Sequence, residues 1–218
     1  MKTKAFIFDL DGVIVDTAKY HYLAWKNLAN NLNIDFTQDH NELLKGVSRV
    51  RSLEIILGLG SVHASDEQKN EWLIQKNEEY LGYINKMDDS EILPGVMKVL
   101  NFLKANHQPI ILGSASKNAR PILEKVNILN YFDDIVDGND VTNAKPDPEV
   151  FIVGAKKANQ PNENSIVFED SVAGIQAANV AGMTSIGIGD SSVLNEANHN
   201  FNNFTEITEE FLMELINQ

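Results

Sequence analysis

Short apolar runs that stop at acids, hydroxyls or a lysine recur along this chain, and they divide it into two unlike stretches. The run Phe6-Ile7-Phe8 predicts a buried strand over about 4–8 that ends at Asp9, with Asp11 two residues on and Gly12 beyond. From Asp16 to about Met87 the pattern is helical with no convincing strand. His21, Trp25, Leu28 and Leu32 share one face of a first helix, with Asp16 or Thr17 as its cap. Further helices are expected over 40–45, 49–57 and 65–86, with Gly58 and Gly60 between the last two. After Pro94-Gly95 helices and strands alternate. Helices are predicted over 96–105, 119–126, 148–158, 173–181 and 208–216, and strands over 109–112, 135–136, 165–168 and 184–188.

Short apolar strands alternating with helices form a parallel sheet covered on both faces. The predicted architecture is therefore an α/β, doubly wound parallel-sheet core formed by 1–15 and 92–218. An α-helical domain over 16–91 is inserted after the first strand, with hinges near 13–16 and 88–93. Ligands of such folds bind outside the carboxyl ends of the strands.

Composition narrows the function classes. The 218 residues include no cysteine, which excludes disulfides and thiolate sites and fits a reducing cytoplasm. No apolar run approaches the roughly 20 residues a membrane span needs, and Asp9 and Asp11 interrupt any signal-peptide core. A net charge of −13 argues against a nucleic-acid surface, and no apolar stripe marks an obligate interface. These features predict a cytoplasmic monomer acting on small molecules.

The predicted strand ends carry the chemistry. The first ends in Asp9 and Asp11, the second in Ser114-Ala115-Ser116-Lys117-Asn118. The loop after the third holds Lys145-Pro146, and the fourth ends in Glu169-Asp170-Ser171. Two acids at the end of a buried strand cost desolvation and repulsion, which a bound cation offsets. Oxygen ligands without His or Cys suit Mg²⁺, and Mg²⁺ beside a lysine and a hydroxyl cradle equips a site for phosphoryl transfer. A carboxylate can then act as nucleophile and a second as acid/base. Asp16 is read as a helix cap, and Gly187-Ile188-Gly189-Asp190 as a plain turn.

Phe8-Asp9-Leu10-Asp11-Gly12-Val13, Ser114-Ala115-Ser116, Lys145-Pro146 and Glu169-Asp170-Ser171 resemble the four motifs of the haloacid dehalogenase superfamily, over essentially the whole chain. Within it the chain looks like the β-phosphoglucomutase family. That closer match rests on Thr17, His21 and Trp25, on Leu44-Lys45-Gly46-Val47-Ser48-Arg49, on Lys76-Asn77 and on Lys117-Asn118. The resemblance implies a Mg²⁺-dependent interconversion of β-glucose 1-phosphate and glucose 6-phosphate, with glucose 1,6-bisphosphate as intermediate and activating phosphodonor. It makes Asp9 the nucleophile and Asp11 the acid/base, and gives Mg²⁺ to Asp9, Asp11, Glu169 and Asp170. It puts Ser114, Ala115 and Lys145 on the transferring phosphoryl group, and Arg49, Ser116, Lys117 and Asn118 on the other phosphate. Thr17, His21, Trp25, Lys45, Gly46, Val47, Ser52 and Lys76 would complete the substrate pocket from the insert, which closes as a cap. His21 and Lys76 would couple that closure to the placement of Asp11. A sugar-phosphate phosphatase of the same fold, a non-catalytic phosphosugar sensor and a dehalogenase are the rival expectations.

Overall fold

Six strands make one parallel sheet in the order β3-β2-β1-β4-β5-β6 in this computed structural model, which describes residues 3–44 and 47–218. The strands are β1 (Ala5–Phe8), β2 (Ile110–Gly113), β3 (Asp134–Val136), β4 (Ser165–Glu169), β5 (Thr184–Ile188) and β6 (His199–Phe201). β1 lies between β2 and β4, with Phe8 paired to Leu112 on one side and Phe168 on the other. Neighbours on both edges and helices on both faces explain why β1 is apolar at every position and fully buried.

Side chains of β1 alternate between two cores. Phe6 and Phe8 enter the larger one, where the Phe8 and Phe168 rings stack 4.6 Å apart, beside Phe204. This layer also holds α5 (Val96–Ala105), α6 (Ala119–Lys125) and α9 (Glu209–Asn217). Ala5 and Ile7 face the other layer, made by α7 (Glu149–Lys157) and α8 (Val172–Val180). The order reverses at β1 and β4, and such a switch point opens a crevice at the strands' carboxyl ends. Asp9 follows β1 there, and Glu169 closes β4.

Between β1 and α5 the chain forms the predicted insert of α1 (Ala18–Asn31), α2 (Gln38–Glu42), α3 (Arg49–Leu59) and α4 (Asp66–Ile84). It has its own apolar core, including Trp25, Leu28, Phe36, Leu53 and Ile56. Its two connections are laid against each other. Val15 bridges to Ile92, Asp16 N–H donates to Glu91 O and Leu93 N–H donates to Ile14 O, both at 3.0 Å. The Glu91 carboxylate then accepts from Lys19 Nζ at 2.6 Å and Tyr20 OH at 2.5 Å, tying the second connection to the start of α1.

Several expectations are corrected. β6 was not predicted: it is three half-buried edge residues, His199-Asn200-Phe201, with no apolar run to mark it. It gives the 187–190 turn a partner, since Gly189 N–H donates to Phe201 O at 2.8 Å. α2 starts earlier than expected because Thr37 and His40 form a reciprocal cap. Asp16 does not cap α1: Thr17 holds the cap position without a side-chain bond, and Asp16 instead pairs with Lys19 at 3.3 Å. Among the described residues no helix is long and apolar enough to cross a membrane.

Candidate active site

A cavity of about 680 Å³ opens where the carboxyl ends of the strands face the insert. From the sheet side Asp9, Asp11, Ser114, Ala115, Ser116, Lys117, Lys145 and Asp170 line it. From the insert come His21, Trp25, Val47, Arg49, Ser52 and Lys76. Thr17, Asn118 and Glu169 stand outside the lining that the described residues form, although each lies next to a residue within it. Lys45 and Gly46 lie outside the described residues.

Lys145 is the electrostatic centre of the sheet side. Its side chain is 1% exposed, and Nζ donates to Asp9 Oδ1 and, at 2.5 Å, to Glu169 Oε1. Burial alone would lower its pKa, but the two carboxylates outweigh burial and raise it, so Lys145 is a permanent cation. Glu169 is wholly buried, and its other oxygen accepts from Ser171 N–H at 2.7 Å and Ser171 Oγ at 2.9 Å. Gly174 permits this, since a Cβ there would overlap Glu169 Oε1. Gly12, with φ +82°, is needed at the facing position, where a Cβ would overlap Asp170 Oδ2.

The paired acids behind β1 are unequal. Burial pushes the Asp9 carboxyl up to about 6 against the pull of Lys145, which leaves it ionised at neutral pH. Burial and then the Asp9 charge push Asp11 up to about 7, with Lys76 and Lys145 opposing. Asp11 Oδ1 is buried without a partner, and Oδ2 lies 3.9 Å from His21 Nε2, beyond hydrogen-bond distance.

The insert side holds a buried lysine in an aromatic cage. Lys76 is 1% exposed, with Nζ 2.7 Å from His21 Nδ1 and 4.8 and 4.7 Å from the Trp25 and Tyr80 ring centroids. Burial, then Arg49, lowers Lys76 to about 7. Burial, Lys76 and Arg49 hold His21 well below its ordinary value, so the imidazole is neutral. With Lys76 donating to Nδ1, the ring proton belongs on Nε2, facing Asp11. Tyr80 stacks on His21 at 4.0 Å. The mostly polar sequence of α4 reads Lys76 as solvated and does not single out Tyr80. The signal was the spacing of Leu73, Lys76, Tyr80 and Ile84, one continuous face across the helix. Trp25 packs in the insert's core while also facing the cavity.

The family model for haloacid dehalogenase-like hydrolases matches residues 3–182. The chain belongs to the haloacid dehalogenase-like hydrolase family. Among curated members it is 39% identical to a β-phosphoglucomutase of Bacillus subtilis, over 97% of this chain and 94% of that one. It is 29% identical to a phosphorylated carbohydrates phosphatase of Thermotoga maritima, over 84% of this chain and 83% of that one. A crystal structure of β-phosphoglucomutase from Clostridium difficile superposes with a TM-score of 0.94 at 42% identity, covering 99% of this chain and 97% of that one. The sheet with its helical insert is thus the family's core and cap.

The unequal acids predict a pH-dependent gain in stability for Asp11→Asn in metal-free protein. A carboxyl whose pKa rises on folding favours folding when protonated, so its penalty grows from pH about 4 to 7 and is complete above 7. The Asp11 side chain is 24% exposed to the cavity, which screens part of the effect. With chelator at pH 8 the variant should be about 1–2 kcal/mol more stable than wild type. At pH 4 the two should melt together. Thermal melts across that range check it, and a constant difference would assign the gain to packing.

Proposed function

We propose that this chain is a phosphomutase interconverting β-glucose 1-phosphate and glucose 6-phosphate through β-glucose 1,6-bisphosphate. The observation that carries this reading is a cavity lined by anion donors from both the sheet side and the insert. Ser114 and Lys145 line it beside Asp9 from the sheet side, with Lys117 on that same side, and Arg49 lines it from α3 of the insert. A bisphosphate that turns round between two half-reactions needs a reactive site and a passive one, whereas a simple phosphatase needs only the first. Arg49 grips a phosphate through two N–H groups at once.

In the first half-reaction a carboxylate oxygen of Asp9 attacks the phosphorus, the bond to the sugar oxygen breaks and Asp11 gives its proton to that oxygen. In the second, a hydroxyl of the returned sugar gives its proton to Asp11 and attacks the aspartyl-phosphate, restoring Asp9. Lys145 holds Asp9 in place and offsets charge on the phosphoryl oxygens, with Ser114 and the Ala115 N–H beside it. Residues 16–91 close as the cap on the core of 1–15 and 92–218, excluding water from the phosphoenzyme. His21, carried on α1 directly after the hinge, brings its Nε2–H to Asp11 as the cap seats.

The residues fit Mg²⁺ in a particular way. Among the described residues no three acidic or imidazole side chains converge to enclose a cation. Mg²⁺ needs no such cage, since one or two carboxylates, substrate phosphate and water suffice. Asp9 and Asp170, with the Asp11 carbonyl, would hold it. Glu169, whose two oxygens are already engaged by Lys145 and Ser171, would support the site from outside. Bound there, Mg²⁺ would neutralise charge on the transferring phosphoryl group.

The test is to supply β-glucose 1-phosphate, Mg²⁺ and a trace of glucose 1,6-bisphosphate. Glucose 6-phosphate should accumulate, and only slowly without the bisphosphate. Free phosphate without glucose 6-phosphate would make the chain a phosphatase, like the Thermotoga relative. No turnover of either kind would leave a binding protein.

A further inference from the structure

Lys145 reaches the cavity from a segment without regular structure. Residues 137–148 join β3 to α7 with no helix or strand between, and Val141, Thr142, Asn143 and Ala144 line the cavity together with Lys145. The lysine side chain is nonetheless 1% exposed, with its ammonium fixed between Asp9 and Glu169. A cation can be held that closely only if the backbone beneath it is held too. The start of α7 supplies the anchor. Glu149, the first residue of α7, turns its carboxylate back onto the loop, and a single oxygen, Oε2, accepts from Thr142 N–H at 3.1 Å and from Asn143 N–H at 2.7 Å. On the far side of Lys145, Asp147 N–H donates to Ala144 O at 3.1 Å, and Glu149 N–H donates to Asp147 Oδ1 at 3.0 Å. Phe151, two residues further on, sets its buried ring 4.7 Å from Lys145 Nζ. Val150 and Phe151 pack in one core with Ile7 of β1 and Ile111 of β2. The loop is thus referred, through α7, to the same strand that presents Asp9.

Resting on the phosphomutase reading, we infer that Glu149 is a positioning residue for phosphoryl transfer, holding the Thr142–Asn143 backbone so that Lys145 stands against Asp9 and the transferring group. Glu149 is not part of the cavity lining that the described residues form, so it acts through the loop. Both of its bonds to the loop end on one oxygen, so the loop needs an acceptor at that reach rather than a negative charge. Without the acceptor, two backbone donors lose their partner and the loop is free to shift. A small displacement of Lys145 costs transfer rate, because the reacting groups must be aligned. Substrate binding should suffer less, since the donors on the insert and on the loop after β2 are untouched.

The test assays wild type, E149A, E149M and E149Q below their melting temperatures, with β-glucose 1-phosphate, Mg²⁺ and glucose 1,6-bisphosphate. E149A and E149M should each lose about tenfold or more in kcat, with KM within about threefold of wild type. Methionine keeps the bulk of the side chain over the loop, so its agreement with alanine separates the lost acceptor from lost packing. E149Q, whose amide oxygen can accept from both N–H groups, should keep kcat within about twofold of wild type. If E149Q falls as far as E149A, the carboxylate acts by its charge at the start of α7 and the inference fails. It also fails if E149A keeps kcat within threefold. Lysine-ammonium NMR of the same proteins reads Lys145 without turnover. A buried ammonium held by two carboxylates should give a slowly exchanging signal, assigned by its absence from Lys145→Met. That signal should persist in E149Q and broaden away in E149A and E149M, and its persistence in all three would overturn the inference. If the NMR follows the expected pattern but wild type makes no glucose 6-phosphate from β-glucose 1-phosphate, the mutase reading alone is overturned, and Glu149 still holds Lys145.

Discussion

Asp9→Asn is expected to abolish turnover, with kcat reduced by about 10⁴ or more, while the fold and substrate binding survive. The amide matches the carboxylate in size and can still accept from Lys145, so neither the packing behind β1 nor the position of the lysine has cause to change. What is lost is the nucleophile. Burial has brought Asp9 to about 6, high for an aspartate yet low enough that the oxygen carries charge at neutral pH. An amide oxygen carries none and cannot form a stable bond to phosphorus. Mass spectrometry after a brief exposure to glucose 1,6-bisphosphate should show one added phosphoryl group on wild type and none on the variant. A phosphorylated variant, or one with unchanged turnover, would move the nucleophile elsewhere.

Asp9 was also the most legible residue in the sequence, and the reason is physical. A buried parallel strand has no use for polar side chains, so Phe6-Ile7-Phe8 announces itself, and an acid at its end stands out as a cost needing a return. The same logic exposed Ser114, Lys145 and Glu169, each placed by a strand end. The cap was legible as helices but not as a surface. A helix carries its buried face at a spacing of three to four, and one lysine among aromatics breaks the hydrophobic count without breaking the face. Lys76 was therefore placed by resemblance rather than by pattern. Asn77 and Asn118 illustrate a further limit. Each is an ordinary polar residue in its own segment, and the hydrogen bond from Asn118 Nδ2 to Asn77 Oδ1, 3.1 Å long, joins positions 41 residues apart. β6 was missed for a related reason, since an edge strand gets its hydrogen bonds from β5 without needing apolar side chains.

The strand ends are also where stability and catalysis part company, and Lys145 is the residue that separates them. Lys145→Ala should lower stability by about 3–5 kcal/mol at pH 8, the usual cost of stripping one partner from a buried ion cluster. For a chain of this length that is roughly 10 °C in melting temperature. Asp9 and Glu169 would face each other without the cation between them, and Asp9 would rise further above about 6. A carboxyl raised on folding is penalised as pH climbs from about 4 through its folded value, so the deficit should shrink at pH 5 and be largest at pH 8. Turnover should fall as well, because the transferring phosphoryl group would lose its fixed cation. The two losses are separable. Lys145→Met combined with Glu169→Gln fills the space and removes one of the charges, so it should recover much of the stability and none of the turnover. Melts at pH 5 and 8 and the coupled assay measure both. If the double variant regained activity with its stability, Lys145 would serve the fold alone. If Lys145→Ala melted like wild type at pH 8, the cluster would hold a cation other than lysine between its carboxylates.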